Sequence, residues 1–178
     1  LAAVLFVKRM SEVTNVRSMT GDADDLDDRY ATDRNAAHLR DVPKGVEIYE
    51  ISGPFFFGAA EEFKERLGQV AGRPKVLIIR MRDVPAIDST GLHALRDVVH
   101  RTRRDGTLLL LSDVHSQPLV AMMRAGMLDE VGEDNVFGNL DDALNRAREQ
   151  LGLPARARLA GAEPTVARES GEHKAVPR

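Results

Sequence analysis

Asp88, Ser89, Thr90 and Gly91 place a carboxylate and two hydroxyls in a row before a glycine. An apolar run, Val76-Leu77-Ile78-Ile79, precedes them, and Leu92, Leu95, Val98 and Val99 follow at i, i+3, i+6 and i+7. The first pattern is that of a buried strand and the second that of one helix face. The three oxygen-bearing side chains therefore stand where a strand hands over to a helix. Free backbone N–H groups and the positive end of the helix dipole suit such a place to three tasks. Asp88, Ser89 or Thr90 can cap the helix. The loop Asp88–Leu92 can hold an anion or a nucleotide phosphate. Ser89 or Thr90 can carry a covalent phosphate, which would bring about two negative charges to the loop.

Other chemistry is poorly supplied. The chain has no cysteine, so thiol nucleophiles, disulfides and thiolate zinc sites are excluded. The five histidines are scattered. His93 and His100 fall two turns apart, too far to share a metal ion, so no metal site is expected. Neither a Walker-type phosphate loop nor a G-x-G-x-x-G turn is present, and no nucleophile–base pair stands out. The formal net charge of -3 gives no reason to expect nucleic acid as a partner. The residues point to a chain that is not an enzyme and needs no cofactor.

The surrounding elements read as α/β. The 178 residues and 43% hydrophobic content suit one domain with an aliphatic core, since Trp is absent. Strands are expected at Val46–Ile51, Lys75–Met81 and Thr107–Leu111, with a last short one at Val136–Phe137. Helices are expected at Ala59–Val70, Ser89–Arg104, Gln117–Ala125 and Leu140–Leu151. Met122 and Met123 are expected in the core. Residues 10–42 read as a linker, because Gly21–Asp28 is dense in Asp and nearly without apolar content, although a short helix fits around Tyr30–Arg40. Residues 152–178, rich in Pro, Ala, Arg and Glu, read as a disordered tail. The domain proper is expected over 43–151. The apolar run Leu1–Val7, closed by Lys8 and Arg9, reads as the end of a truncated transmembrane helix over residues 1–9, its basic pair on the cytoplasmic side.

Asp88-Ser89-Thr90-Gly91-Leu92 resembles the D-[ST]-[ST]-G-L signature of STAS domains, the sulfate-transporter and anti-sigma-factor-antagonist family. Gly53-Pro54-Phe55-Phe56-Phe57-Gly58-Ala59-Ala60 resembles a segment of the STAS domains attached to SulP anion transporters. The likeness runs over about Val42–Leu151. It implies a central mixed β-sheet flanked by about four α-helices. It also implies a regulatory domain at the cytoplasmic face of the inner membrane, serving assembly, trafficking or gating of a bacterial transporter for sulfate, bicarbonate or a dicarboxylate. Its partners would be the transporter's own transmembrane domain, a soluble protein such as acyl carrier protein, a weakly held nucleotide, or a second copy in a homo-oligomer. Phe55, Phe56 and Phe57 and the basic helix end Arg101, Arg103 and Arg104 are the candidate contact surfaces. The other branch of the family implies a soluble anti-sigma factor antagonist switched by phosphorylation at Thr90.

Overall fold

The computed structural model describes residues 14–20, 42–68 and 73–157. The run Leu1–Val7, the acidic stretch, the segment Tyr30–Arg40, Val70 and the tail past Ala157 lie outside the described residues. Five strands form one sheet in the order β1-β2-β3-β4-β5. They are β1 (Asn15–Ser18), β2 (Val46–Ser52), β3 (Val76–Asp83), β4 (Leu108–Ser112) and β5 (Val136–Phe137). The helices are α1 (Phe57–Gly68), α2 (Ser89–Asp105), α3 (Ser116–Arg124), α4 (Met127–Val131) and α5 (Leu140–Gln150). β2 to β5 run parallel, and β1 pairs with β2 antiparallel, Asn15 opposite Ser52. The sheet is therefore mixed, as the resemblance implied.

Strands that follow one another in space as in sequence, joined by right-handed crossovers, put their connecting helices on one face. α1, α2, α3 and α4 accordingly share a core with Tyr49, Ile51, Leu77, Ile79, Met81, Leu109 and Leu111. α5 covers the alternate residues Val46, Ile48, Val76, Ile78 and Leu110 from the other side. Both faces of the central strands are thus buried, which is why they read as unbroken apolar runs.

Four sequence expectations are revised. Asn15–Ser18, inside the stretch read as linker, is an edge strand: four residues without alternation give no strand signal of their own. Met127–Val131 is an additional short helix, introduced by Gly126 at a φ of 69°. Met122 is buried, but Met123 is half exposed, because α3 turns only one narrow face to the core. The helix expected from Ala59 begins at Phe57.

Candidate functional site

The carboxyl ends of the parallel strands form one rim of the sheet, and the loop Asp88–Leu92 sits on it. Asp88 is extended, with φ −103° and ψ −175°, and caps α2. Its Oδ1 accepts three hydrogen bonds, from Thr90 N at 3.0 Å, Gly91 N at 2.9 Å and the Thr90 hydroxyl at 2.6 Å. Such a cap contributes about 1 kcal/mol. It also uses up the N–H groups of Thr90 and Gly91, to which the sequence assigned an anion. The helix already holds an anion there, the chain's own carboxylate. Of the two candidate phosphate acceptors, Ser89 is exposed, while Thr90 is half-buried and turned toward Asp88. Leu92 packs its partly buried side chain on the core.

Gly91 permits a close approach. A Cβ there would lie 2.3 Å from the Phe55 carbonyl oxygen and 2.8 Å from Ile87 Cγ1. α2 is thereby seated against the Phe55 segment, which bridges to Ile87 as one further parallel pair. Phe55 N donates to Ala86 O at 2.9 Å, and the Phe55 ring meets Phe63 edge-on at 5.4 Å. The three phenylalanines therefore separate. Phe55 is fully buried, Phe56 is half-buried, and Phe57 is 62% exposed at the start of α1.

Two further contacts complete the rim. The Gln117 side chain accepts from Ile87 N at 2.9 Å and donates to Ile87 O at 3.3 Å, tying α3 to the loop. Thr14 donates its hydroxyl to Pro54 O at 2.8 Å, so the chain enters the sheet beside Phe55–Phe57. Arg82, Asp83, Pro85, His115, Ser116 and Gln117 line an open cleft of about 490 Å³ next to the loop.

The basic cluster is elsewhere. It closes α2, some 25 Å from Asp88 at 1.5 Å per residue, and two of its members are engaged internally. Arg101 donates to Leu67 O at 2.9 Å, and Arg103 donates to Glu130 O. Arg104 is exposed beside Asp105. The structure thus brings Asp88–Leu92 and the phenylalanines together and sets the arginines apart.

Sequence reasoning missed a buried ionic row behind the rim. Arg80, wholly buried, faces α5 from β3, between Glu50 on β2 and Ser112 on β4. Its guanidinium lies 3.5 Å from Glu50 Oε2 and 3.3 Å from Asp113 Oδ2. The signal was an arginine inside an otherwise apolar run buried on both faces. Both contacts are long. At Asp113 burial outweighs the nearby Arg80 and Arg82 and the hydrogen bonds from Ser112 and Arg80, and pushes its carboxyl above the usual range. The folded chain then keeps this proton where the unfolded chain has released it. The stability so contributed is present below the unfolded value of about 3.9 and is lost as pH rises through the raised folded value. Asp113→Asn removes this dependence, and Asn tolerates the positive φ of 56° found at this position. Urea melts from pH 4 to pH 7 should show the unmodified chain losing stability relative to Asp113→Asn as pH rises. Parallel curves would contradict the assignment.

Comparison with known proteins agrees with this geometry. Residues 40–143 match the STAS domain family. YvdB of Bacillus subtilis (strain 168), a protein named for sulfate transport, is 26% identical over 143 residues, which is 80% of this chain and 24% of that protein. The chain thus spans about a quarter of that relative's length. A sulfate transporter family protein from Wolinella succinogenes superposes with a TM-score of 0.63 at 45% identity, covering 67% of this chain and 98% of that one. The STAS domain of a SulP transporter from Vibrio cholerae superposes with a TM-score of 0.57 at 31% identity, covering 70% of this chain and 98% of that one. Among the described residues no helix is long and apolar enough to cross a membrane. With the signature loop, the mixed five-stranded sheet and the family match in agreement, the chain belongs to the STAS domain family, in the company of sulfate transporters.

Proposed function

We propose that this domain is the regulatory contact module of a SulP-type anion transporter, held at the cytoplasmic face of the membrane and acting in gating or assembly without catalysis of its own. The transported anion would be sulfate, bicarbonate or a dicarboxylate. The observation that carries this reading is the common rim of the chain's entry point and its exposed aromatic. Thr14 bonds Pro54, and Phe57 stands 62% exposed three residues on. Val7, the last residue of the run read as a membrane span, is seven residues before Thr14. An extended chain of that length reaches at most about 25 Å. On this reading Phe56, Phe57 and the exposed Ser89 belong to the side of the domain that would meet the membrane part, and an exposed aromatic is the kind of anchor that contacts are built on.

The test is sulfate uptake by the full-length polypeptide that carries this domain. Phe57→Ala is expected to change the uptake rate several-fold while leaving the melting temperature of the domain unchanged. Unaltered uptake, both for Phe57→Ala and after removal of residues 42–157, would sink the proposal. The rival reading, a soluble anti-sigma antagonist, requires a phosphate on Thr90. Its hydroxyl now donates to Asp88, so the phosphate would confront the capping carboxylate and loosen the start of α2. Intact-mass measurement of the protein from its native host distinguishes the two readings.

A further inference from the structure

Past α5 the chain doubles back on the helix it has just left. Gly152, at a φ of 70°, makes the turn, and Leu153 N donates to Arg148 O at 2.8 Å. Pro154 cannot continue a helix and disfavours a helical conformation at Leu153. From there the chain runs antiparallel to α5 and alongside it. Arg148 Nε donates to Pro154 O at 2.8 Å. One turn nearer the start of α5, the Asn145 side chain clamps the backbone of Arg156. Arg156 N donates to Asn145 Oδ1 at 2.8 Å, and Asn145 Nδ2 donates to Arg156 O at 3.0 Å. A two-way amide clamp of this kind holds the main chain and so fixes its register against the helix. Residues 153–157 are exposed, so hydrogen bonds rather than apolar burial keep them there.

The register of this contact points past Ala157. Two residues of extended chain advance about 6.6 Å, and three or four residues of helix advance about 4.5–6 Å. Pro154 meets Arg148 and Arg156 meets Asn145, so the next step sets residue 158 against residue 141 or 142. The chain has Arg158 at the first of these positions, and α5 has Asp141 and Asp142 in its first turn. Both aspartates are buried, where opposite charges attract more strongly than at an open surface. Asn139 Nδ2 donates to Asp142 Oδ2 at 3.0 Å and orients that carboxylate. We propose that α5 is a docking surface for the chain's own C-terminal segment, with Arg158 seated at Asp141 and Asp142 as the next rung beyond the Asn145 clamp. β5 ends at Phe137, beside Ser112 of β4, and α5 starts three residues later, on the same rim of the sheet as Asp88–Leu92. The docked segment therefore delivers residues 159–178 to that rim, and loss of one ion pair releases them from it. The inference does not depend on attachment to a transporter and stands or falls separately from that reading.

The test follows the 178-residue chain by amide hydrogen exchange and by limited trypsin digestion. Arg158→Glu should speed exchange of the Arg156 N–H at least fivefold, and Arg158→Lys less than twofold. Arg168→Glu makes the same change of charge ten residues further along and should alter that exchange less than twofold. In a chain that also carries Asp141→Asn and Asp142→Asn, Arg158→Glu should have less than a twofold effect, because its partners are gone. Thermal melts followed by circular dichroism check that each variant folds. Should the Asp pair fail to fold, the contrast between Arg158→Glu and Arg168→Glu decides alone. Trypsin should cut after Arg158 at least tenfold more slowly in the folded chain than in a synthetic peptide of residues 153–178, and after Arg168 equally fast in both. Equal effects of the two Glu variants would overturn the proposal, as would equal cleavage after Arg158 in chain and peptide. Protection at Arg158 that rises with protein concentration between 5 and 200 μM would assign α5 to the tail of a second copy, which also overturns it.

Discussion

Arg80→Met should destabilise the domain by about 3–5 kcal/mol, the usual cost of removing one partner from a buried ion pair. Methionine fills much the same volume, so the loss is electrostatic rather than a cavity. The Glu50 and Asp113 carboxylates stay behind at the inner row of the sheet without the guanidinium that lay 3.5 and 3.3 Å away. That result alone would not show that the ion pairs stabilise the fold, because bringing three charges out of water has its own large cost. The decisive comparison adds Glu50→Gln and Asp113→Asn to Arg80→Met. The triple variant should recover most of the lost stability, since uncharged groups of the same shape carry no such desolvation penalty. Urea unfolding at pH 7 reads both. A triple variant as unstable as Arg80→Met would mean that packing around the arginine, rather than its charge, is what matters.

Gly91→Ala should cost about 3 kcal/mol, at the upper end for overpacking. In an exposed helix the same change is favourable by up to about 1 kcal/mol. Here the added carbon lies 2.3 Å from a backbone oxygen and 2.9 Å from Phe55 Cδ1, and a backbone atom cannot swing aside as a side chain would. α2 must lift off the Phe55 segment, so the loss should spread. Urea unfolding and hydrogen exchange at Phe55 and Ile87 check it. Wild-type stability in Gly91→Ala would show that the helix shifts without cost. Asp88→Ala, which removes the cap and leaves this contact alone, should be the milder lesion.

The sheet and its helices were legible because both faces of β3 and β4 are covered, which turns Val76–Ile79 and Leu108–Leu111 into plain apolar runs. The loop Asp88–Leu92 was legible because capping has strict residue preferences, and Asp88 meets them. Its internal bonding was not, since which of three oxygens turns inward depends on rotamers. β1 left no trace in the sequence, because four residues on a sheet edge draw their order from the neighbouring strand. The separation of Phe55 from Phe57 follows from Gly91, a residue 36 positions from Phe55 in the chain. The internal engagement of the basic end of α2 could not be read, because Leu67 O and Glu130 O, which accept from Arg101 and Arg103, come from remote segments.

The antiparallel placement of β1 has a mechanical meaning. The chain enters at Asn15, opposite Ser52, and runs down the edge of β2 to Ser18, opposite Tyr49. Tension applied ahead of Thr14, along the strand axis, loads these bonds side by side, in shear, instead of opening them one at a time. The short strand works as a clasp: displacement upstream reaches the rim of Phe57 and Ser89 as movement of the whole body, before the edge can peel away.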